Sequence, residues 1–154
     1  MSDGEILSRD KFYMSCALEL ASLAAEMGEV PVGAVVVRGD KIISADFNRR
    51  ETEKNAVYHA ETTAIWRACR SMGGWRLPGC ELFVTLEPCI MCAGAVISAR
   101  IPRTVFAAYD PKSGAMGSVT DINLMGLNHK TEIVSGIMEE ESAALLKSFF
   151  RRKR

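Results

Sequence analysis

The sequence contains no long hydrophobic run. Nowhere do about 18 apolar residues follow one another, so no membrane-crossing helix and no membrane partner are expected. The opening stretch, MSDGEILSRDKF, carries acid where a secretory signal needs a basic end and an apolar core, and a cytoplasmic location is expected. Charge of one sign is also missing. The 19 basic and 19 acidic residues cancel, so nothing global advertises nucleic acid, and any contact with it must come from a local patch. Paired cysteines are missing too: there are five, an odd number, and thiols persist in a reducing compartment, which argues against a disulfide framework. Each cysteine has to be sorted individually. Internal repeats and linker-like stretches are likewise absent.

What is present is ordinary globular material, with 48% hydrophobic and 25% charged residues. A chain of 154 residues reads as one domain, residues 1–154, able to bury about 68–70% of its unfolded surface without staples. Ser8 can cap a first helix whose apolar residues Phe12, Cys16, Leu20, Leu23 and Met27 recur at helical steps, ending at Gly28. VPVGAVVVRGDKIISADF reads as two strands joined at Gly39-Asp40. The polar NRRETEKNAVY is a loop, and helical spacing resumes from about His59 through Ile65, Trp66 and Cys69 to Gly73-Gly74. CELFVTL is a strand, PCIMCAGAVISAR a helix with Pro88 in its first turn, and RTVFAAY another strand. The glycine-punctuated DPKSGAMGSVTDINLMGLNHK is a long loop and, by its length, a candidate lid. KTEIVSG gives the last strand. EEESAALLKSFFRRKR gives a helix with acid at its start and base at its end, matching the macrodipole. Five strands interleaved with helices indicate a layered α/β fold, hairpin first and parallel crossovers later.

Two segments carry the chemistry, and both place polar side chains at the start of a helix. Cys89 and Cys92 sit where a helix N-terminus lowers thiol pKa and favours the metal-binding thiolate. HAE supplies His59 and Glu61. Two helix starts facing each other would bring His59, Cys89 and Cys92 onto one ion. Three nitrogen and sulfur donors suit tetrahedral zinc with a corner open for water, and zinc lowers the pKa of bound water from about 15.7 toward 7. Glu61 is then the base that takes the water's proton, passes it to a ring nitrogen and, in a second transfer, protonates the departing amine. Residues two apart do not share a helix face, so His59 must stand at the helix edge. Two other readings stay open on the residues alone: a thioredoxin-like redox pair at Cys89 and Cys92, and a structural zinc with Cys80 or His129 as fourth ligand.

The pattern His-x-Glu followed by Pro-Cys-x-x-Cys is the signature of zinc nucleobase deaminases, a class that includes the tRNA deaminase from which adenine base editors derive. It is met at His59, Glu61, Pro88, Cys89 and Cys92. GEVPVGAVVV, FNRR, HAE, LFVTLEPCIMCAGAVISARI, VFAAYDPKSGAMGS, LNHKTEI and FFRRKR extend the match over residues 8 to 154. These blocks resemble successive segments of the bacterial tRNA-specific adenosine deaminase family. The resemblance implies a three-layer α/β/α, cytidine deaminase-like fold around a central mixed five-stranded sheet, usually as a homodimer. It implies one Zn2+ per subunit and hydrolysis of the wobble-position adenosine of a tRNA anticodon stem-loop to inosine. In that reaction zinc-activated water attacks C6 of adenine, with Glu61 as proton shuttle.

By the same resemblance His59, Cys89 and Cys92 are the metal ligands, and Asn48 contacts the substrate nucleoside. Pro31, Val32 and Ala34 form a pocket wall to which Ala60, Leu86 and Pro88 also belong. Asp110, Lys112 and Ser113 form the RNA-side loop, and Arg151, Arg152 and Arg154 offer cations to phosphates. The segment MGSVTDINLMG and the short tail depart most from the family pattern.

Plainer roles are expected elsewhere. Cys16 and Cys69 lie in apolar helical patterns as small buried hydrophobes, and Cys80 is structural. His129 is a hydrogen-bonded structural histidine, and Asn48 by its position alone closes a turn. Most of the eight methionines fill the core, with Met91 and Met116 as exceptions suited to an interface or lid. The motif specifies the reaction better than the ring, so deamination of free guanine, cytosine or cytidine is the first alternative. A non-catalytic, zinc-stabilised RNA-binding module is the second.

Overall fold

A computed structural model describes residues 1–153, so Arg154 lies outside the described residues. Helix α1 (Asp3–Glu26) starts earlier than Ser8 suggested. Ser2 caps it: the Ser2 hydroxyl accepts from Glu5 N at 3.2 Å while Glu5 Oε1 accepts from Ser2 N at 3.3 Å. This capping box is written in the sequence as Ser-x-x-Glu, and Ser8 is simply an exposed residue one turn further in. The buried face also differs from expectation. Tyr13, Met14, Ala17, Ala21 and Ala24 point inward, whereas Phe12, Leu23 and Met27 are exposed. Size rather than hydrophobicity decides it, because α1 crosses strand β1 (Gly33–Arg38) so closely that a Cβ on Gly33 would overlap the Ala17 carbonyl. Only an alanine-rich face allows that approach.

The hairpin is as expected. Strand β1 turns at Gly39, with φ of 62°, into β2 (Lys41–Phe47), antiparallel. Helix α2 (Ala60–Met72) ends on Gly73 in the left-handed conformation, the C-cap that glycine adopts at no steric cost. Strand β3 (Cys80–Leu86) pairs antiparallel with β1 and leads into α3 (Ile90–Ser98). Pro88 precedes the helix cap instead of occupying the first turn. Strands β4 (Arg103–Ala108) and β5 (Glu132–Val134) add in parallel, giving the order β2-β1-β3-β4-β5. Helix α4 (Glu139–Arg152) closes the chain, with three glutamates in its first turn and Arg151 and Arg152 in its last.

The central strands are apolar on both faces, as strands covered on both sides must be. Val35, Val37, Phe83, Val105 and Ala107 pack with Tyr13, Met14 and Ala17 of α1. The alternate residues Ala34, Val36, Leu82, Val84 and Phe106 pack with Ala60, Ala64 and Ala68 of α2 and Ala93, Val96 and Ile97 of α3. Helix α4 lies beside α1. The result is three layers, α/β/α, around a mixed five-stranded sheet. An ion network crosses it: Arg103 on β4 holds Asp10 of α1 at 2.7 Å, Glu81 of β3 at 2.6 Å and Glu132 of β5 at 3.2 Å. No helix among the described residues is long and apolar enough to cross a membrane.

Candidate active site and metal centre

Two helix N-termini meet above the ends of β1 and β3. His59 is the N-cap of α2 and Cys89 the N-cap of α3, both with extended backbone, and Cys92 sits in the first turn of α3. An N-cap residue lies outside the helical face pattern, so His59 and Glu61 can serve one site although only one residue separates them. His59 Nδ1 is 3.5 Å from Cys92 Sγ and 3.7 Å from Cys89 Sγ. In a tetrahedron with bonds of about 2.3 Å to sulfur and 2.0–2.1 Å to nitrogen, those atoms stand about 3.6 Å apart. The donor set is therefore compatible with zinc, with three protein ligands in reach.

Neither alternative fourth ligand joins them. Cys80 Sγ lies at 3.6 Å from Met72 Sδ, and His129 Nε2 lies at 2.8 Å from the Ile101 carbonyl, in the structural role expected of it. Cys16 and Cys69 are half-buried and Cys80 fully buried.

The electrostatics follow from burial and proximity. A hydrogen bond from Cys92, with another from His59, draws the Cys89 thiol down to about 4. Cys92 is pushed up by the adjacent Cys89 sulfur and by burial, so the metal-free pair keeps a shared proton that a cation would displace. The His59 imidazole is raised, chiefly by its hydrogen bond to Cys89. Glu61, 4% exposed in the first turn of α2, is pushed up to about 7 by burial, against the opposing pull of a backbone N–H and of His59.

Beside these groups opens a cavity of about 190 Å3 lined by Val30, Val32, Asn48, Arg50, His59, Ala60, Glu61, Leu86, Glu87, Cys89, Asp110 and Ser113. Clefts for drug-sized ligands run to roughly 300–1,000 Å3, so this one suits a single ring system. Of the residues expected from sequence, Val32, Asn48, Ala60, Leu86, Asp110 and Ser113 line it with Glu61 and two of the metal-binding candidates. Pro31, Ala34 and Pro88 do not: all three are buried behind the walls, Ala34 in the core face of β1. Lys112, Arg151 and Arg152 are exposed and outside the cavity.

Asn48 closes a turn, as its position suggested, and also lines the cavity. Its Oδ1 accepts from Arg50 N at 3.1 Å, closing a turn, and its Nδ2 donates to Val30 O at 3.2 Å. One amide N–H and one lone pair remain for a ligand.

The loop after β4 is a wall more than a lid. Asp110 Oδ1 accepts from the amides of Lys112 and Ser113, both at 3.1 Å, and Gly114 N donates to Asp110 O at 2.8 Å. Met116 is buried there and Met91 half-buried.

Val30, Arg50 and Glu87 line the cavity without having been singled out in the sequence. Arg50 stands in FNRR beside Asn48, a visible cue, whereas Glu87 in LEPC has only its adjacency to Pro88. A further buried carboxylate, Glu29, accepts from Glu51 N at 3.1 Å and Thr52 N at 2.6 Å and so pins the loop on the opposite side.

Comparison with known proteins agrees with this geometry. The model of the MafB19-like deaminase family matches residues 8–154. A tRNA-specific adenosine deaminase of Bacillus subtilis is 47% identical over 151 residues, 96% of this chain and 92% of that protein. A structure from studies of A-to-I editing by tRNA deaminases at the wobble position superposes with a TM-score of 0.84 at 43% identity, covering 88% of this chain and 99% of that one. A guanine deaminase from Nitrosomonas europaea superposes with a TM-score of 0.75 at 25% identity, covering 90% and 83%. With the family model spanning nearly the whole chain and the curated relatives matched almost end to end, the protein belongs to the MafB19-like deaminases and, among them, to the family of the tRNA-specific adenosine deaminases.

Proposed function

We propose that the protein is a single-domain enzyme that hydrolyses the wobble-position adenosine of a tRNA anticodon loop to inosine, releasing ammonia. The observation that carries the reading is a buried carboxyl, Glu61, raised to about 7 beside a three-donor metal cluster in a cavity sized for a single nucleobase. His59, Cys89 and Cys92 would hold one Zn2+, which when bound supplies a Lewis acid that makes water nucleophilic at neutral pH.

Glu61 receives one proton of the attacking water and delivers it to N1 of the ring, where it stays, then carries the second proton, from the hydroxyl added at C6, to the leaving amino group, so that adenosine and water become inosine and ammonia. A carboxyl poised near neutrality suits both the accepting and the donating step. Asn48 orients the nucleoside with its free amide N–H, while Val32, Ala60 and Leu86 pack on the base. Asp110, Lys112 and Ser113, with Arg151 and Arg152 at the end of α4, take the flanking RNA.

The substrate class rests on the relatives: 47% identity to a tRNA-specific adenosine deaminase outweighs 25% to a guanine deaminase. An anticodon loop also presents an unstacked nucleotide cheaply. A homodimer is supported by apolar side chains left exposed around α2 and α3, Val57, Trp66 and Ile90, which a second copy would cover. A cytoplasmic location suits a tRNA substrate.

The test is incubation with an anticodon stem-loop bearing adenosine at the wobble position, with metal quantified in the same preparation. Inosine formation with one zinc per chain is expected. Turnover of free guanine or cytosine with the RNA untouched would overturn the substrate, and a metal-free preparation that is fully active would overturn the site.

A further inference from the structure

Glu87 carries no proton in the proposed chemistry, yet its carboxylate is buried, 2% exposed, between the end of β3 and Cys89. Burying an anion is costly unless its oxygens are fully partnered. Here every partner comes from one loop. Oε1 accepts from Asp110 N at 3.0 Å and from the Ser118 hydroxyl at 2.5 Å, and Oε2 accepts from Met116 N and Ser118 N, both at 3.0 Å. The same loop is stitched to the adjoining turn by Ala115 N, which donates to Pro88 O at 2.8 Å, and by a bridge between Gly114 and Cys89. Gly114 is required by this arrangement, since a Cβ there would overlap the Glu87 carboxylate. Residues 110–118 are thus folded around a single buried anion, and two of them, Asp110 and Ser113, line the cavity.

We propose that Glu87 is a positioning residue for substrate: it shapes residues 110–118 into the wall that receives the nucleotides flanking the target base. The proposal rests on the RNA-deaminase reading for its substrate and on the hydrogen-bond geometry for everything else. The carboxylate is essential, and an amide does not replace it. Each oxygen accepts two hydrogen bonds, whereas glutamine presents one oxygen and one NH2 group. Directed at Oε2's partners, the NH2 group would face two backbone N–H donors. Directed at Oε1's, it can still donate to the Ser118 hydroxyl but leaves Asp110 N–H without an acceptor. E87Q therefore frees the amide of a residue in the cavity wall.

Zinc-loaded wild type, E87Q and Gly114→Ala should be compared by amide hydrogen exchange, metal content and steady-state kinetics on the anticodon stem-loop. In both variants exchange within 110–118 is expected to quicken while the sheet and zinc stoichiometry stay unchanged. KM for the stem-loop should rise roughly ten- to hundredfold, the effect of losing one hydrogen bond to a charged group, with kcat within about threefold of wild type. The double variant should be no worse than the worse single one, because both changes break the same contact.

A fall in kcat at unchanged KM would overturn the proposal in favour of a role in proton transfer. A lowered melting temperature with kcat and KM both intact would reduce Glu87 to a purely structural carboxylate. Should the wild-type enzyme leave the stem-loop untouched, the tRNA reading fails alone. Exchange then decides on Glu87: quickened exchange confined to 110–118 sustains its hold on the wall, and unchanged exchange at Asp110, Met116 and Ser118 removes it. Gly114→Ala keeps the question answerable if E87Q does not fold.

Discussion

Replacing Glu61 by glutamine should make the protein more stable and nearly inactive at once, and the two effects have a common cause. In the metal-free protein burial raises the Glu61 carboxyl from 4.5 to about 7. Between those values the folded state binds a proton that the unfolded state has released, so stability contributed by this group is greatest below pH 4.5 and is lost as pH rises through 7. The difference of 2.5 units between 4.5 and 7, at 1.36 kcal/mol each, amounts to about 3 kcal/mol of destabilisation above pH 7. Glu61 is almost wholly enclosed, so solvent screening removes little of it. Glutamine has the same size and no charge to desolvate.

Denaturant unfolding of the chelator-treated protein should therefore find E61Q more stable than wild type by about 3 kcal/mol at pH 8, and by almost nothing at pH 4. In the zinc-loaded protein the cation stabilises the carboxylate, and the gap at pH 8 should narrow. Turnover of the stem-loop should fall by about a hundred- to ten-thousandfold, the usual worth of a general acid–base group, with zinc content unchanged. Equal stabilities of the two metal-free proteins at pH 8 would show that Glu61 is not a desolvated carboxyl. Turnover within tenfold of wild type would show that it does not carry the proton.

Two other substitutions separate the site from its scaffold. Asp10→Ala removes the bidentate partner that holds Arg103 at 2.7 and 2.9 Å; since Arg103 keeps Glu81 and Glu132, the cost should fall at the lower end of the roughly 3–5 kcal/mol for a broken buried pair, read by denaturant unfolding at unchanged zinc content. His129→Ala should leave zinc and turnover intact and cost about 1 kcal/mol for the lost bond to Ile101 O, whereas loss of metal in that variant would revive a four-ligand structural site.

Much of the architecture was legible because it is signalled locally. Gly39-Asp40 marks the hairpin, Gly73 ends α2, and CELFVTL became β3 residue for residue. The metal-binding candidates were legible for a related reason: ligands that must converge are placed on helix caps, and caps leave fixed spacings. Helix α1 was misread because hydrophobic periodicity weighs Phe12 and Leu23 above alanine. The sheet instead selects for thinness at Gly33, a property of the partner element and invisible in the helix.

The two buried glutamates were missed on deeper grounds. A carboxylate that accepts from side chains of a nearby motif leaves a pattern; one that accepts from backbone amides leaves none, since every residue but proline carries the same N–H. Glu29 reaches amides 22 and 23 residues away, and Glu87 reaches them 23 to 31 residues away. Their partners are defined only once the fold exists. The same anonymity gives them their use: a loop held mostly by its own backbone amides can vary most of its side chains without losing its anchor, provided that Ser118 keeps its hydroxyl and Gly114 leaves the carboxylate its space.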